Sequence, residues 1–384
     1  MTATETTTRP GRIVALDVAR GIAILGTLGT NIWILTDPAG IVGYLNTLGS
    51  EPWPQRILMQ LAQGKFLGLL TLMFGIGLAI QAASARRAGR PWPGGYRVRA
   101  ALLLLDGALH YLLVAEFDIL MGYALVSMLV CGLVVASARA RLWVAVAASA
   151  AHVLLLTALV AAIAAEPDSG APTAPATDVF ATGSWWDLVV FRAENVGAFR
   201  AEVIFVIPMT IAMFLAGAAL YEAGIFDPGS RVLRRKLMLL GAVAAPVDAV
   251  VGLCGGEAGV LVARYGVAPF VAVGLLAWIA QFHATPRRAG VVATGLERIG
   301  RTALSCYVAQ NVLVSALCYG WGLGLAARVD PSLRVPFTVA VYLLVCAVLV
   351  VTASWWLWRY RQGPVEWLWR VSYQRLVREP ATPS

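Results

Sequence analysis

Residues Arg12 to Leu35 read RIVALDVARGIAILGTLGTNIWIL. The stretch is long enough to cross a bilayer, since about 20 consecutive apolar residues span the hydrocarbon core. Yet it carries Asp17 and Arg20 near its start and Asn31 near its end. Charge inside a span is costly. It marks either a functional site or an interfacial pair whose arginine reaches back to the headgroups. Three residues apart, Asp17 and Arg20 share a helix face and can pair. The N-terminal run lacks a small-residue cleavage site after it, which predicts a retained helix rather than a signal peptide.

The rest of the chain matches that opening. Of its 384 residues, 59% are hydrophobic and 13% charged, and the mean hydropathy is +0.74. A soluble domain carries about 25% charge, so a soluble class is excluded and the lipid bilayer is the first partner. The net charge of +9 reads as a topology signal rather than a nucleic-acid surface. Five cysteines lie in apolar runs without a C-x-x-C pair, and the three histidines (His110, His152, His283) are scattered. No zinc or haem signature is present, and no permanently bound cofactor is expected.

Apolar runs predict an all-α bundle of about ten transmembrane helices, at 13–35, 56–84, 98–115, 118–138, 141–165, 199–221, 236–254, 258–282, 301–325 and 335–357. The predicted organisation is a disordered tail at 1–11, a five-helix half at 12–165, an external loop at 166–198, a second five-helix half at 199–357 and an amphipathic tail at 358–384. With the N-terminus in the cytoplasm, the cytoplasmic segments hold 22 of the 30 Lys and Arg, and the outside segments hold five. The positive-inside rule then places both termini in the cytoplasm. The external loop begins with a Pro-, Ala-, Ser- and Thr-rich half expected to be mobile. It continues as TGSWWDLVVFRAENV, where Trp185, Trp186, Val189 and Val190 form one stripe of a short interfacial helix.

Candidate chemistry concentrates in LLLLDGALHYLLVAEFDILMGYAL, a helical hairpin turning near Glu116 to Asp118. His110 lies about two turns below that turn, with Asp106 one turn deeper on the same face and Tyr123 descending on the partner helix. A carboxylate beside a histidine fixes its tautomer and raises its basicity, so His110 with Asp106 or Asp118 is a candidate general base. A histidine holding two helices together is the alternative. His152, among Ala, Val and Leu, reads as packing, and His283 as solvated in a cytoplasmic loop. Lys65 suits an anion or a carboxylate, or snorkels to the outer interface. Asp248 and Arg264 are equally far from the Gly255-Gly256 turn and are expected to pair. Gly75 and Gly77 suggest close helix packing, and Gln310 is a buried polar group that bonds a neighbour or faces a cavity.

Several of these segments resemble one family. D-x-x-R-G-I-A (Asp17, Arg20, Gly21, Ile22, Ala23), followed by Asn31, resembles the opening of YeiB-type bacterial membrane proteins. The G-K-F at Lys65, the Gly183-Ser184…Arg192 element and the histidine before D-I-L are similar to the same family, with Phe117 where the family has glycine. GRTALSCYVAQNVL, YGWGLGL and QGPVEWLWRVSY resemble its C-terminal domain of unknown function 418. They bring Gly300, Arg301, Tyr307, Gln310, Tyr319, Gly320, Gly363, Pro364, Glu366 and Trp369, with Cys306 where the family commonly has Asn.

More distantly the opening is similar to membrane acyltransferases such as heparan-alpha-glucosaminide N-acetyltransferase. The resemblance implies a multi-pass protein of the bacterial cytoplasmic membrane and, through the acyltransferases, transfer from cytoplasmic acyl-CoA to a hydroxyl or amine acceptor. Those enzymes carry an essential histidine after helix one. Residues 36–53 contain none, a departure from that pattern, and the base role is carried to His110 by inference from its neighbours in the hairpin. Asp17, Arg20, Asn31, Lys65, Tyr123, Arg192 and Gln310 are the candidate substrate contacts. A metabolite transporter and a non-catalytic membrane subunit are the alternatives, since buried charges and glycine-broken helices suit a transporter equally well.

Overall fold

The computed structural model describes residues 12–165, 178–284 and 290–377. The expected tail at 1–11, the first half of the external loop, Arg287, Arg288 and residues 378–384 lie outside them. Among the described residues there is no strand. The helices are α1 (Val14–Leu35), α2 (Gly40–Asn46), α3 (Trp53–Ala62), α4 (Lys65–Arg87), α5 (Tyr96–Leu113), α6 (Leu120–Val130), α7 (Ala138–Ala165), α8 (Val179–Thr182) and α9 (Trp185–Glu194). They continue with α10 (Val196–Glu222), α11 (Arg231–Cys254), α12 (Gly256–Leu261), α13 (Ala268–His283), α14 (Val291–Arg301), α15 (Ala303–Cys318), α16 (Leu325–Arg328), α17 (Arg334–Arg359) and α18 (Pro364–Leu376).

Seven of the described helical segments are long and apolar enough to cross a membrane: α1, α3 with α4, α7, α10, α11, α12 through α13, and α17 with the turn before it. The expected spans at 98–115, 118–138 and 301–325 are shorter helices. α6 is 11 residues long, and α15 is 16. The last of these expected spans breaks at Thr302 and stops at Cys318, where the Tyr319–Gly324 turn folds back on α15 through Leu323 N–H to Ala316 O (2.8 Å). Large apolar side chains point outward along α7, α10 and α17, with Leu154 70%, Ile204 72% and Val351 65% exposed. Water would penalise such a surface, whereas lipid does not.

α1 is the central helix. Gly21 seats against the Leu296 carbonyl of α14, and Gly300 of α14 seats against the Asp17 carbonyl of α1. A Cβ would lie 2.0 Å and 1.7 Å from those oxygens. Only glycine lets two backbones approach so closely. On α4, Gly75 packs on the Phe214 carbonyl of α10, while Gly77 has nothing within 4 Å of where a Cβ would sit. The expected packing role holds for the first and fails for the second.

Two spans are discontinuous. α3 and α4 part at Gln63-Gly64, where Gly64 has φ +73°. Between α12 and α13 the chain runs through a π-turn, Val262–Val267. The two irregularities touch: a Cβ on Gly64 would meet the Arg264 carbonyl at 2.5 Å. At the end of the chain α18 returns to the start of α15. Its Glu366 carboxylate accepts from the Leu304 N–H (2.7 Å), the Ser305 N–H (3.2 Å) and the Ser305 hydroxyl (2.5 Å). An acidic group there offsets the positive end of the helix dipole.

Candidate functional site

The α5–α6 hairpin turns at residues 114–119, and two arginines from the following helices pin that turn. Arg192 of α9 is 1% exposed. It pairs with Glu116 (Nε–Oε2 3.1 Å) and donates to the carbonyls of Leu112 (3.3 Å) and Val114 (3.0 Å). It therefore caps the C-terminal end of α5, where a cation is favoured. The expectation of a solvated strut is corrected here, because Arg192 is buried and three of its N–H donors meet protein partners. Arg200 of α10 stacks over Tyr111 (4.2 Å) and donates to the carbonyls of Glu116 and Asp118 (2.9 Å for the latter). α9 itself starts with Ser184 and Asp187 capping each other's backbone, and those hydrogen bonds hold the Asp187 carboxyl below its ordinary value.

The pinned turn places Asp118 over His110. Nδ1 of His110 is 3.0 Å from Asp118 Oδ1, and Asp118 Oδ2 accepts from the Met121 N–H (3.0 Å). On the other side of the ring, Nε2 lies 3.1 Å from the Asn311 amide nitrogen of α15. Tyr307, one turn before Asn311, lays its ring against the imidazole with centroids 4.8 Å apart. His110, Asp118, Tyr307 and Asn311 are all buried. The imidazole is thus held between a carboxylate at Nδ1 and a side-chain amide at Nε2. Asp106 does not join it: the turn brings Asp118 to Nδ1 first, and Asp106 Oδ2 is buried without a hydrogen bond among the described residues. Tyr123 does not join it either. Its hydroxyl bonds Thr71 (2.6 Å) and the Leu67 carbonyl (3.3 Å) on α4.

Two cavities flank this cluster. The one toward the Asn31 end of α1, outer by the face that the lysine and arginine bias predicts, is about 110 Å³ and is lined by Thr27, Thr30, Asn31, Asp118, Tyr123, Arg200, Glu202, Arg264 and Tyr307 among others. The inner one, about 280 Å³, is lined by Arg20, Leu70, Gln81, Arg99, Leu103, Tyr307 and Trp369 among others. His110 lines neither; Asp118 lines the outer one and Tyr307 lines both. Among the described residues, the wall of the inner cavity holds two arginines and no carboxylate. Arg99 donates to Gln81 (3.1 Å) and lies over Trp369 and Tyr373 of α18 (5.5 and 4.3 Å). Arg20 meets Asp17 (3.2 Å) as the spacing predicted, and Arg12 joins the same carboxylate at 2.5 Å.

The other predicted residues separate. Lys65 does not snorkel. It bonds Asp248 (2.5 Å) and the Gln60 carbonyl (2.5 Å), and Gln60 also donates to Asp248 (2.7 Å). The expected Asp248–Arg264 pair is therefore corrected: Arg264 binds Glu202 (3.1 Å), and Glu202 also accepts from Tyr265. Asp248 turns to α3 and α4, and Arg264 turns to α10. Gln310 is fully buried, with neither side-chain amide atom bonded among the described residues. His152 packs through Nε2 to the Tyr265 carbonyl (3.1 Å). His283 ends α13 rather than lying in a loop. Asn311, Arg200, Glu202 and Arg99 escaped the sequence analysis. Only Asn311 left a signal, four residues after Tyr307 on one helix face.

Comparison with known proteins follows the same segments. Residues 220–375 match the family described as "Protein of unknown function (DUF418)". The chain is 27% identical to the uncharacterized protein YxaH of Bacillus subtilis (strain 168), over 99% of both sequences. It is 30% identical to the uncharacterized protein YeiB of Escherichia coli (strain K12), over 94% of this chain and 95% of that protein. The chain belongs to the YeiB family. No solved structure matches it. The family match covers the end of α10 through α18, and so holds Tyr307, Asn311 and the Glu366 cap. The relatives extend over the N-terminal half, with α1 and the His110 hairpin. The protein is a multi-pass helical membrane protein of this family.

Proposed function

We propose that this chain is a membrane-embedded acyltransferase of the bacterial inner membrane. Acyl-CoA from the cytoplasm supplies the donor group through the inner cavity, and a hydroxyl or amine acceptor occupies the outer one. The inner cavity carries the proposal: it is apolar in depth, has Arg20 and Arg99 in its wall and has no carboxylate there among the described residues. That combination suits a ligand with an apolar arm and anionic phosphates. The outer cavity offers Asn31, Asp118 and Glu202 to a polar acceptor.

In the step itself the acceptor oxygen or nitrogen bonds to the thioester carbonyl carbon and loses its proton. The bond to the CoA sulfur breaks, and CoA leaves as the thiol once protonated. The His110–Asp118 pair supplies the acid–base group, with Asp118 facing the acceptor and His110 behind it; Asp106 takes no part.

Proteoliposomes test this directly. Acyl-CoA should be consumed with release of free CoA thiol, His110→Gln should lower kcat by about 10²–10⁴, and Arg99→Ala should raise KM. Absence of thioester turnover, alongside uptake of a solute into the same vesicles, would favour a transporter. That second reading has its own support in the touching breaks at Gly64 and Val262–Val267. Discontinuous helices line the sites of many transporters, and π-turns recur at functional sites.

A further inference from the structure

The outer and inner cavities share one lining residue, Tyr307. Their walls otherwise follow one another along the same helices. On α1 the inner cavity ends at Ile24 and the outer one begins at Thr27; on α4 the corresponding neighbours are Leu70 and Thr71. At 1.5 Å of rise per residue, the gap on α1 is about 4.5 Å, shorter than the reach of an aromatic side chain. The two walls therefore come within one side chain of each other on α1. Two aromatic groups meet between them: Tyr123 of the outer wall lies against Phe74 of the inner wall (centroids 4.6 Å apart), and the Tyr307 ring, which lines both cavities, is 2% exposed and backed by the imidazole of His110. That backing is fixed from both sides, by Asp118 at Nδ1 and Asn311 at Nε2.

We infer that the two cavities are halves of one path through the bundle and that Tyr307 is the barrier between them. The side chain at position 307 then determines what passes from one half to the other. This goes beyond the acyltransferase proposal, because it holds whether the path hands over an acyl group or a whole solute. It also gives the buried His110 cluster a role that needs no exposure: it braces the ring.

The test uses the full chain in oriented vesicles, with the five native cysteines replaced by alanine and one reporter cysteine added. Thr30→Cys reports the outer cavity and Leu103→Cys the inner one. The probe is a membrane-impermeant methanethiosulfonate bearing a trimethylammonium group, added to one face at a time. With tyrosine at 307, each reporter should react from one face only, and the two faces should be opposite. Tyr307→Ala should make both reporters react from both faces, while Tyr307→Phe keeps the one-face pattern. The inference is overturned if both reporters answer the same face in the parent protein. It is equally overturned if Tyr307→Ala melts and elutes like the parent yet keeps one-face labelling. Should Tyr307→Ala fail to fold, Tyr307→Leu is judged by the same criteria. A reporter silent from both faces in the parent and in the variants also refutes the path, since a lined cavity must admit the reagent.

Discussion

Asp248 shows how far single residues carry in this bundle. Its carboxylate is 1% exposed and meets the Lys65 ammonium at 2.5 Å, with Gln60 closing the triangle. Breaking such a pair from one side leaves an uncompensated buried charge and costs about 3–5 kcal/mol, whereas replacing both members by apolar residues is often neutral. Asp248→Asn should therefore lower the thermal midpoint in detergent, and Asp248→Leu with Lys65→Met should restore most of the loss. Losses that simply add would argue against the pair.

Arg192 makes a second, geometric case. One guanidinium fork reaches Glu116 and two carbonyls, which a lysine ammonium cannot reproduce. Arg192→Lys should melt lower despite keeping its charge, as a thermal-shift measurement would register. These partners were the least legible part of the sequence. Asp17 and Arg20 share a helix face, so spacing alone predicts their contact. Lys65 and Asp248 lie on helices far apart in the chain, and no local pattern connects them. The helical hairpin suggested Arg264 instead, and the π-turn that holds Arg264 leaves no mark in hydrophobic periodicity.

The helices themselves were readable, because lipid forces backbone groups to pair within each segment and apolar runs betray them. Their interruptions were not, apart from glycine positions whose purpose the sequence leaves open. Gly300 and Gly77 both sit in helices, yet one bears on the Asp17 carbonyl and the other opens onto the inner cavity. Gly300→Val should separate α1 from α14 and abolish a stable fold in detergent. Gly77→Ala should be neutral or stabilising by up to about 1 kcal/mol, because alanine is the better helix former and meets no neighbour. Size-exclusion profiles and melting curves of the two variants would separate these outcomes. Equal behaviour would mean that the α1–α14 crossing tolerates a side chain. Gly21 and Gly300 are the two faces of a single helix crossing.

At the scale of the whole molecule the number of crossings decides the topology. Seven crossings would leave the termini on opposite faces, and ten would leave them on the same face. The seven long helices are clear from length and apolarity; α5, α6 and α15 settle the parity. α5 and α6 form a hairpin whose turn is pinned by Arg192 and Arg200, so together they add two crossings or none. α15 carries the parity alone. Its N-terminal end is capped by Glu366 of α18, beside Arg301 and the inner cavity. Its C-terminal end meets α8 through Gly320 N–H to the Phe180 carbonyl (2.9 Å), and Tyr319 packs on Phe180. α8 belongs to the same connection as α9, which pins the turn beside the outer cavity. α15 therefore runs from one end of the bundle to the other, although it is shorter than a bilayer-spanning helix of about 20 residues. The lysine and arginine bias of the connecting segments points the same way. We expect ten crossings, with both termini in the cytoplasm. A phosphatase fused after Ser384, active only outside the cytoplasm, should stay silent, and a fluorescent protein at the same place should glow. An active phosphatase would mean an odd number of crossings. It would place the Arg20 and Asn31 ends of the path on the wrong faces for an acyl donor from the cytoplasm.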